Sequence, residues 1–198
     1  SPTFIPDTYQ VAAVRLDTNG LHRLYSYDIA SGESYILIDD LQVAYFSFRN
    51  NETLLATVLS NGQLDLVLSN LKKGVTDTLL LDAGRSIHKV PDTEMMSYTA
   101  ANEDGNMDIY QLDPTTGESF FVAQLPVGIQ DHIWLSDSKL LCGSGDQLFL
   151  YDLFGNGDWK LAVDLSEHNI RDITRLSRSD KGTKLAIVAV PDSAVKKE

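Results

Sequence analysis

The chain has 198 residues, 43% of them apolar, and its 28 acidic and 16 basic side chains give a net charge of −12. This length is enough to bury a core without covalent staples. The acidity argues against nucleic acid or an anionic membrane surface as the partner. The single cysteine, Cys142, excludes an intrachain disulfide, and no run of about 18 apolar residues predicts a membrane-spanning helix.

Four two-residue turn motifs recur along the chain at nearly constant spacing. Their glycines are Gly20, Gly62, Gly105 and Gly145, and successive glycines are 42, 43 and 40 residues apart. Asn-Gly and Asp-Gly between apolar segments are strong hairpin signals, because both central residues must accept a positive φ. An apolar run precedes each turn and an alternating segment follows it, so each turn predicts a β-hairpin.

Each predicted hairpin is followed by a second turn, a third strand, and a fourth strand that leads into the next unit. The apolar runs that open the units cover 11–16, 54–59, 96–100, 140–143 and 184–190. No segment keeps a 3.6-residue apolar period over about twelve positions. The units are therefore four-stranded antiparallel meanders of about 43 residues. Their approximate bounds are 11–53, 54–95, 96–139, 140–183 and, for a partial unit, 184–198.

A repeat of this kind predicts an all-β fold with a specific architecture. A lone four-stranded meander cannot bury both faces, whereas radial packing of such units buries both and leaves only short edges, as in a β-propeller. A β-sandwich is the rival, but it does not require such regular spacing. We expect the opening strand of each unit to lie innermost, because segments such as 55–57 and 141–143 are small and apolar.

The segments that join successive units carry a resemblance to a known family. Segments 46–56, 89–97, 134–141 and 176–186 resemble degenerate copies of the W-S-P-D-G-K-x-L-A signature of TolB-like, WD40-like (PD40) propellers. The best match is 102–113, NEDGNMDIYQLD, which is similar to the D-G-N-x-D-I-Y-x-x-D segment of that family. The resemblance implies a propeller over nearly the whole chain. It leaves the function open, since such propellers serve as scaffolds, receptors, peptidase covers and occasionally lyases.

The number of units bears on how much of a propeller residues 1–198 supply. TolB-like propellers generally have six or more blades, whereas this sequence contains four full units and one extra strand that we interpret as an inner strand. We expect a single β-propeller domain or a portion of a larger one. A closed four- or five-bladed ring is the alternative.

Three histidines are candidate site residues. His88, His132 and His168 fall at or near predicted connections from third to fourth strands. The resemblance includes lyases that hold a divalent metal through several histidines at the centre of the ring. Such connections usually lie toward the rim, and the offsets of these histidines from the repeat signature differ. We therefore predict no metal site and no cofactor, and retain the three histidines as surface candidates.

Asp104 and Asn106 have the alternating spacing of a calcium loop. A loop of the EF type also needs glycine at its sixth position and a bidentate glutamate at its twelfth. Those positions are Ile109 and Thr115 here. A tight turn whose residues tolerate positive φ is the better interpretation.

The aromatic residues divide by register. Trp134 occupies the tryptophan position of the family signature and is predicted to pack between blades. Tyr27, Tyr110 and Tyr151 recur at equivalent strand positions, which is typical of packing residues. Trp159 falls outside that register and is a candidate for a surface patch.

Nucleophilic chemistry has little support in the sequence. No Gly-x-Ser-x-Gly elbow is present. Cys142 follows Leu140 and Leu141, which predicts a packed thiol in a buried strand. We predict no catalytic residue.

These observations predict a non-catalytic propeller that serves as a protein–protein interaction or ligand-binding scaffold. The acidic surface favours a protein or peptide partner of basic or mixed charge, with no nucleic acid and no membrane insertion. The resemblance adds a periplasmic or cell-envelope setting, since TolB itself works in the periplasm. The alternative is an enzyme-associated propeller, either a metal-dependent polysaccharide lyase or the propeller part of a serine peptidase. The lyase reading requires His88, His132 and His168 to converge. Glycan binding in the central funnel is a third hypothesis.

Overall fold

The computed structural model describes residues 2–191. Within them, eighteen strands form four four-stranded sheets and one two-stranded sheet, and one 3-10 helix covers Ser166–His168. Every pairing is antiparallel, and strands that are consecutive along the chain are neighbours in each sheet. In the part of the chain that the structure describes, no helix has the length and hydropathy needed to cross a bilayer. The all-β class and the four-stranded antiparallel units predicted from the sequence are confirmed.

The strands are numbered β1 to β18 in chain order. Sheet one contains β1 (Thr3–Phe4), β2 (Gln10–Leu16), β3 (His22–Asp28) and β4 (Ser34–Ile38). Sheet two contains β5 (Val43–Phe48), β6 (Thr53–Ser60), β7 (Gln63–Asn70) and β8 (Val75–Leu80). Sheet three contains β9 (Ala83–Lys89), β10 (Met96–Ala101), β11 (Met107–Leu112) and β12 (Ser119–Gln124). Sheet four contains β13 (Ile133–Trp134), β14 (Lys139–Ser144), β15 (Gln147–Asp152) and β16 (Lys160–Asp164). Sheet five contains β17 (Ile170–Arg178) and β18 (Leu185–Pro191).

Each four-stranded sheet begins one strand earlier than the unit predicted from the sequence. Strand β5 heads sheet two, although the prediction placed it at the end of the preceding unit. The segment between β5 and β6 is a tight hairpin turn, in which the Asn50 side chain accepts the backbone N–H groups of Glu52 and Thr53. The predicted bounds at 53/54, 95/96, 139/140 and 183/184 therefore fall at or next to the start of a second strand and separate it from the heading strand that pairs with it. Residues 192–198 of the predicted partial unit lie outside the described residues.

The order of strands from the middle outward also differs from the prediction. The heading strands approach one another, with β5 against β9 and β13 against β17. The last strands of the sheets, such as β8 and β16, are largely exposed. The prediction that 54–59 and 140–143 lie innermost is therefore wrong. These segments are second strands, and they are apolar because a neighbouring sheet covers each of their faces.

The apolar core is divided among the junctions between consecutive sheets. Leu54 packs in the cluster between sheets one and two, and the next residue, Leu55, packs in the cluster between sheets two and three. Leu140 and Leu141 are divided in the same way between the two junctions of sheet four. Adjacent residues of a strand point to opposite faces, so both faces of a sheet are buried. This burial is the physical basis of the radial packing expected from the repeat.

Candidate functional site

A cavity of about 260 Å³ lies where the heading strands of sheets two, three and five approach one another. We call it the axial cavity. Its lining comes from β5 (44–46), β9 (85–88), the segment before β13 (131–132), β17 (175–177) and β18 (186 and 188). A second cavity, of about 140 Å³, shares Arg85, Asp131, Arg175 and Leu176 with it. The heading strands β9 and β17 contribute to both cavities, and the second also takes its lining from the 128–131 segment and Gly143.

Four residues of the axial cavity occupy one position of the repeat. Tyr45, His88, His132 and Arg175 are separated by 43, 44 and 43 residues, and all four line the cavity. The rings of His88 and His132 are 4.9 Å apart between centroids, and the guanidinium carbon of Arg175 lies 5.3 Å from the centre of the Tyr45 ring. The repeat therefore places at the same cavity one polar or aromatic side chain from each of sheets two, three and five and one from the segment that leads into sheet four.

Ser86 is the centre of a hydrogen-bond network on the cavity wall. Its Oγ lies 3.0 Å from Nε2 of His88 and 3.1 Å from Nδ1 of His132. The same oxygen accepts the backbone N–H of His132 at 3.1 Å and lies 3.3 Å from the carbonyl oxygen of that residue. Ser86 and His132 are almost fully buried. The network thus joins β9 of sheet three to the segment that leads into sheet four.

Burial keeps both imidazoles neutral near pH 7. Desolvation lowers the pKa of His88 to about 4, against a smaller opposing effect from the Asp131 carboxylate. Desolvation, together with the neighbouring His88, lowers the pKa of His132 well below its ordinary value. Neutral imidazoles are hydrogen-bond partners and metal ligands, but they add no charge to the cavity.

The described residues that bring charge to the cavity are two arginines and one carboxylate. Arg85 donates from Nε to Asp131 at 2.9 Å and from its terminal nitrogen to the same oxygen. Since Asp131 pairs with Arg85, it does not orient a histidine as the acid of a Ser-His-Asp triad does. Ser86 is also engaged with both histidines and with backbone groups. The arrangement can hold and orient a ligand, but it shows no activated nucleophile.

The structure brings together two of the three candidate histidines. His88 and His132 meet at the axial cavity rather than near the rim, so their predicted placement is wrong. His168 ends the exposed 3-10 helix and does not line the cavity. Among residues 2–191, no three His, Cys, Asp or Glu side chains are placed to hold a metal ion. The convergence required by the lyase reading is therefore absent.

Asp104 and Asn106 lie in the turn between β10 and β11. Their backbone N–H groups donate to the side-chain oxygen of Asn102, at 3.1 and 3.0 Å. The left-handed residue of this turn is Gly105, with φ of 77°. The tight turn expected from the sequence is what the structure has, and within it the glycine between Asp104 and Asn106 takes the positive φ.

The two tryptophans both connect sheets three and four. Trp134 is buried and donates from Nε1 to Ser97 Oγ at 2.7 Å, as expected for a residue that packs between blades. Trp159 donates from Nε1 to the carbonyl oxygen of Gln124 at 2.7 Å and packs 5.3 Å from the Tyr151 ring. The Trp159 ring is partly exposed at this junction, so its candidacy for a surface patch stays a prediction.

Cys142 is buried in β14 within the core of the same junction. Desolvation raises the pKa of its thiol to about 12, so the nucleophilic thiolate is scarce near neutral pH. The packed thiol expected from the sequence is what the structure has.

Neither a family model nor a curated relative matches the chain. Its fold is similar to that of TolB from Acinetobacter baumannii, with a TM-score of 0.63 and 18% identity over 97% of this chain and 51% of that one. A protein of a nidogen/laminin complex gives a TM-score of 0.62 at 15% identity, over 83% of this chain and 64% of that one. The acylaminoacyl peptidase of Pyrococcus horikoshii gives 0.53 at 14% identity, over 81% of this chain and 31% of that one.

The likeness confirms the TolB-like propeller resemblance at the level of the fold. The chain spans about half of the Acinetobacter protein and just under two thirds of the nidogen/laminin chain.

Proposed function

We propose that the chain is a non-catalytic β-propeller that binds a protein or another ligand at the axial cavity, in the periplasm or another part of the bacterial cell envelope. The observation that carries the proposal is the set of Tyr45, His88, His132 and Arg175, which sheets two, three and five and the segment leading into sheet four present to one cavity. A rigid fold with variable residues at a common position is suited to recognition.

The hydrogen bonds and ion pairs already made by the polar groups of the cavity favour binding over catalysis. Ser86 is held by both histidines, and Asp131 is paired with Arg85. By contrast, Tyr45 and Arg175 meet only through ring and guanidinium, and Val188 at the edge of the cavity is 58% exposed. This edge offers an aromatic ring, a cation and apolar surface to a partner, a combination common in protein interfaces.

Site-specific photo-crosslinking tests the interaction role. In the natural host, p-benzoyl-phenylalanine would replace Val188 at the cavity or, as a matched control, Val163 on the exposed outer strand β16. We expect a discrete crosslinked product from position 188 and none from position 163. No product at 188, or the same products from both positions, would contradict binding at the axial cavity. Fractionation of the host cells tests the setting, since recovery of the protein only with the cytoplasm would contradict it.

A peptidase-associated propeller is the second candidate, because the acylaminoacyl peptidase likeness covers 81% of this chain. Its test is labelling of the natural full-length protein with a fluorophosphonate probe, which reacts with activated serines. Our proposal predicts no labelling. A labelled serine would support the peptidase reading and would locate it in the sequence.

A further inference from the structure

The charges that face the axial cavity do not balance. Among residues 2–191, Arg85 and Arg175 line it, and Asp131 is the one carboxylate that does so. Asp131 pairs with Arg85, and His88 and His132 are neutral near pH 7 because burial lowers the pKa of each. One positive charge is left over, in a chain whose net charge is −12.

That charge belongs to Arg175. Within residues 2–191, no carboxylate forms an ion pair with its guanidinium and no acceptor forms a hydrogen bond with it. The guanidinium group contacts the face of the Tyr45 ring. Among residues 2–191, this contact leaves the N–H donors along its edges without an acceptor. Arginines that are partly buried are normally paired. An unpaired one facing a cavity calls for an anionic partner.

The walls around Arg175 define the kind of anion. Phe46, Leu176 and Val188 give the cavity apolar surface, next to which a charge-assisted hydrogen bond is stronger than in water. A single unpaired guanidinium matches a monoanion, and its two parallel N–H groups match the two oxygens of a carboxylate. A phosphate group would bring more negative charge than the site compensates. A volume of about 260 Å³ admits a small apolar or aromatic carrier.

We propose that the axial cavity binds a carboxylate attached to a small apolar or aromatic group, with Arg175 as the residue that holds the carboxylate. This inference deepens the proposed binding role and rests on it. The carboxylate can belong to a free organic acid or to a peptide, as a side chain or a C-terminus. The recognition chemistry is the same in each case.

The test compares benzoate with benzamide, which has nearly the same shape and no charge. Each is titrated into the chain in a buffer free of carboxylate and phosphate, by calorimetry and by chemical-shift mapping. We expect benzoate to bind at least about 10-fold more tightly, as for a charge-assisted hydrogen bond. The shifted resonances should include those of Tyr45 and Arg175. Equal affinities for the two compounds would overturn the proposal without any variant.

Substitutions then assign the carboxylate to Arg175. Arg175→Gln should weaken benzoate binding about 10-fold or more and leave benzamide unchanged, while Arg175→Lys should give an intermediate loss because it keeps the charge but not the planar fork. Arg49→Gln removes the same charge away from the cavity and should change benzoate affinity less than about twofold. Wild-type affinity in Arg175→Gln, or an equal loss in Arg49→Gln, would overturn the proposal.

A comparison of two peptides distinguishes the possible sources of the carboxylate. A short peptide ending in phenylalanine is compared with its C-terminally amidated form. Tighter binding of the free-acid peptide than of benzoate supports a peptide source, and binding of benzoate alone supports a free acid. If no carboxylate binds while the crosslink from position 188 persists, this inference fails and the interaction role stands.

Discussion

Two neighbouring junctions of this propeller fold are held together by different kinds of interaction. Between sheets two and three, Leu55 and Leu66 pack against Met96, Tyr98 and Leu112, so the contact is mainly apolar. Between sheets three and four, an apolar cluster is also present, but hydrogen bonds between buried side chains cross it. Ser86 bonds to His132, and Trp134 donates to Ser97.

The difference teaches how the same repeat can serve packing in one place and a site in another. Apolar contact is non-directional, so it accepts small shifts between sheets. Hydrogen bonds depend on distance and angle, and leaving a buried group unpaired is costly. The junction between sheets three and four therefore fixes the position of His88 against His132. That pair forms one wall of the axial cavity.

The largest effect is expected when the buried indole at the polar junction is removed. Trp134 is 3% exposed, so Trp134→Ala loses apolar burial and also removes the N–H donor that lies 2.7 Å from Ser97 Oγ. We expect the free energy of unfolding to fall by about 3–5 kcal/mol, measured by urea denaturation. At the apolar junction, the volume-conserving change Leu55→Met should cost less than about 1.5 kcal/mol. Comparable costs for the two variants would remove the contrast between the junctions.

Acid should weaken the polar junction before it affects the rest of the chain. The pKa of His88 falls from its ordinary value of 6.5 to about 4 on folding, and that of His132 is also lowered. The unfolded chain therefore binds more protons between pH 6.5 and about 4, so stability is complete above pH 6.5 and falls as the pH decreases through this window. The His88 shift corresponds to a loss on the order of 3 kcal/mol.

Urea denaturation at several pH values measures this loss, with His88→Gln as the comparison variant. In the variant, the free energy of unfolding should decrease much less between pH 6.5 and about 4 than it does in the wild type. Asp17 provides an internal contrast, because its bond to Arg23 lowers the pKa of the carboxyl to about 2. Its contribution is lost only as the pH falls from about 4 toward 2. A wild-type stability that is flat between pH 6.5 and 4 would contradict neutral, buried histidines.

Removal of one oxygen at the centre of the network should have an intermediate effect. Ser86→Ala leaves His88 and His132 without their shared partner while changing the volume very little. We expect a loss of about 1–3 kcal/mol in the free energy of unfolding, because the groups left behind are buried. Ser34→Ala on the exposed strand β4 is the matched control and should have almost no effect. A neutral Ser86→Ala would show that the histidines are positioned by packing alone.

The sequence predicted the repeat because its turns require particular backbone angles. Gly20, Gly62, Gly105 and Gly145 all have positive φ, as the Asn-Gly and Asp-Gly signals indicated. The sequence did not predict which strand begins a sheet. The spacing of a repeat is the same whichever of its strands is taken as the first. Only the packing between sheets, such as β5 against β9, shows which strand heads each sheet.

The site was only partly predictable for a related reason. The offsets of His88 and His132 from the signature turns differ because the connecting segments differ in length, and these offsets conceal their common position in the repeat. Spacing measured between the side chains themselves gives 43 or 44 residues from Tyr45 through to Arg175. That signal was present in the sequence. The unpaired guanidinium of Arg175 was not, because pairing depends on which carboxylates the other sheets bring near it.

The smallest effect tests whether burial, rather than hydrogen-bond length, sets the strength of the polar junction. Trp134 and Trp159 each donate an N–H bond of 2.7 Å across sheets three and four, but Trp134 is buried and Trp159 is half-exposed. Trp159→Phe should cost about 0.5–1.5 kcal/mol, since water can reach the Gln124 carbonyl. Trp134→Phe should cost about 1–3 kcal/mol, because the buried Ser97 hydroxyl loses its shortest hydrogen bond and water does not replace it. Urea denaturation of both variants measures the difference. If Trp159→Phe costs as much as Trp134→Phe, the bonds contribute equally wherever they lie, and burial is not what makes this junction rigid.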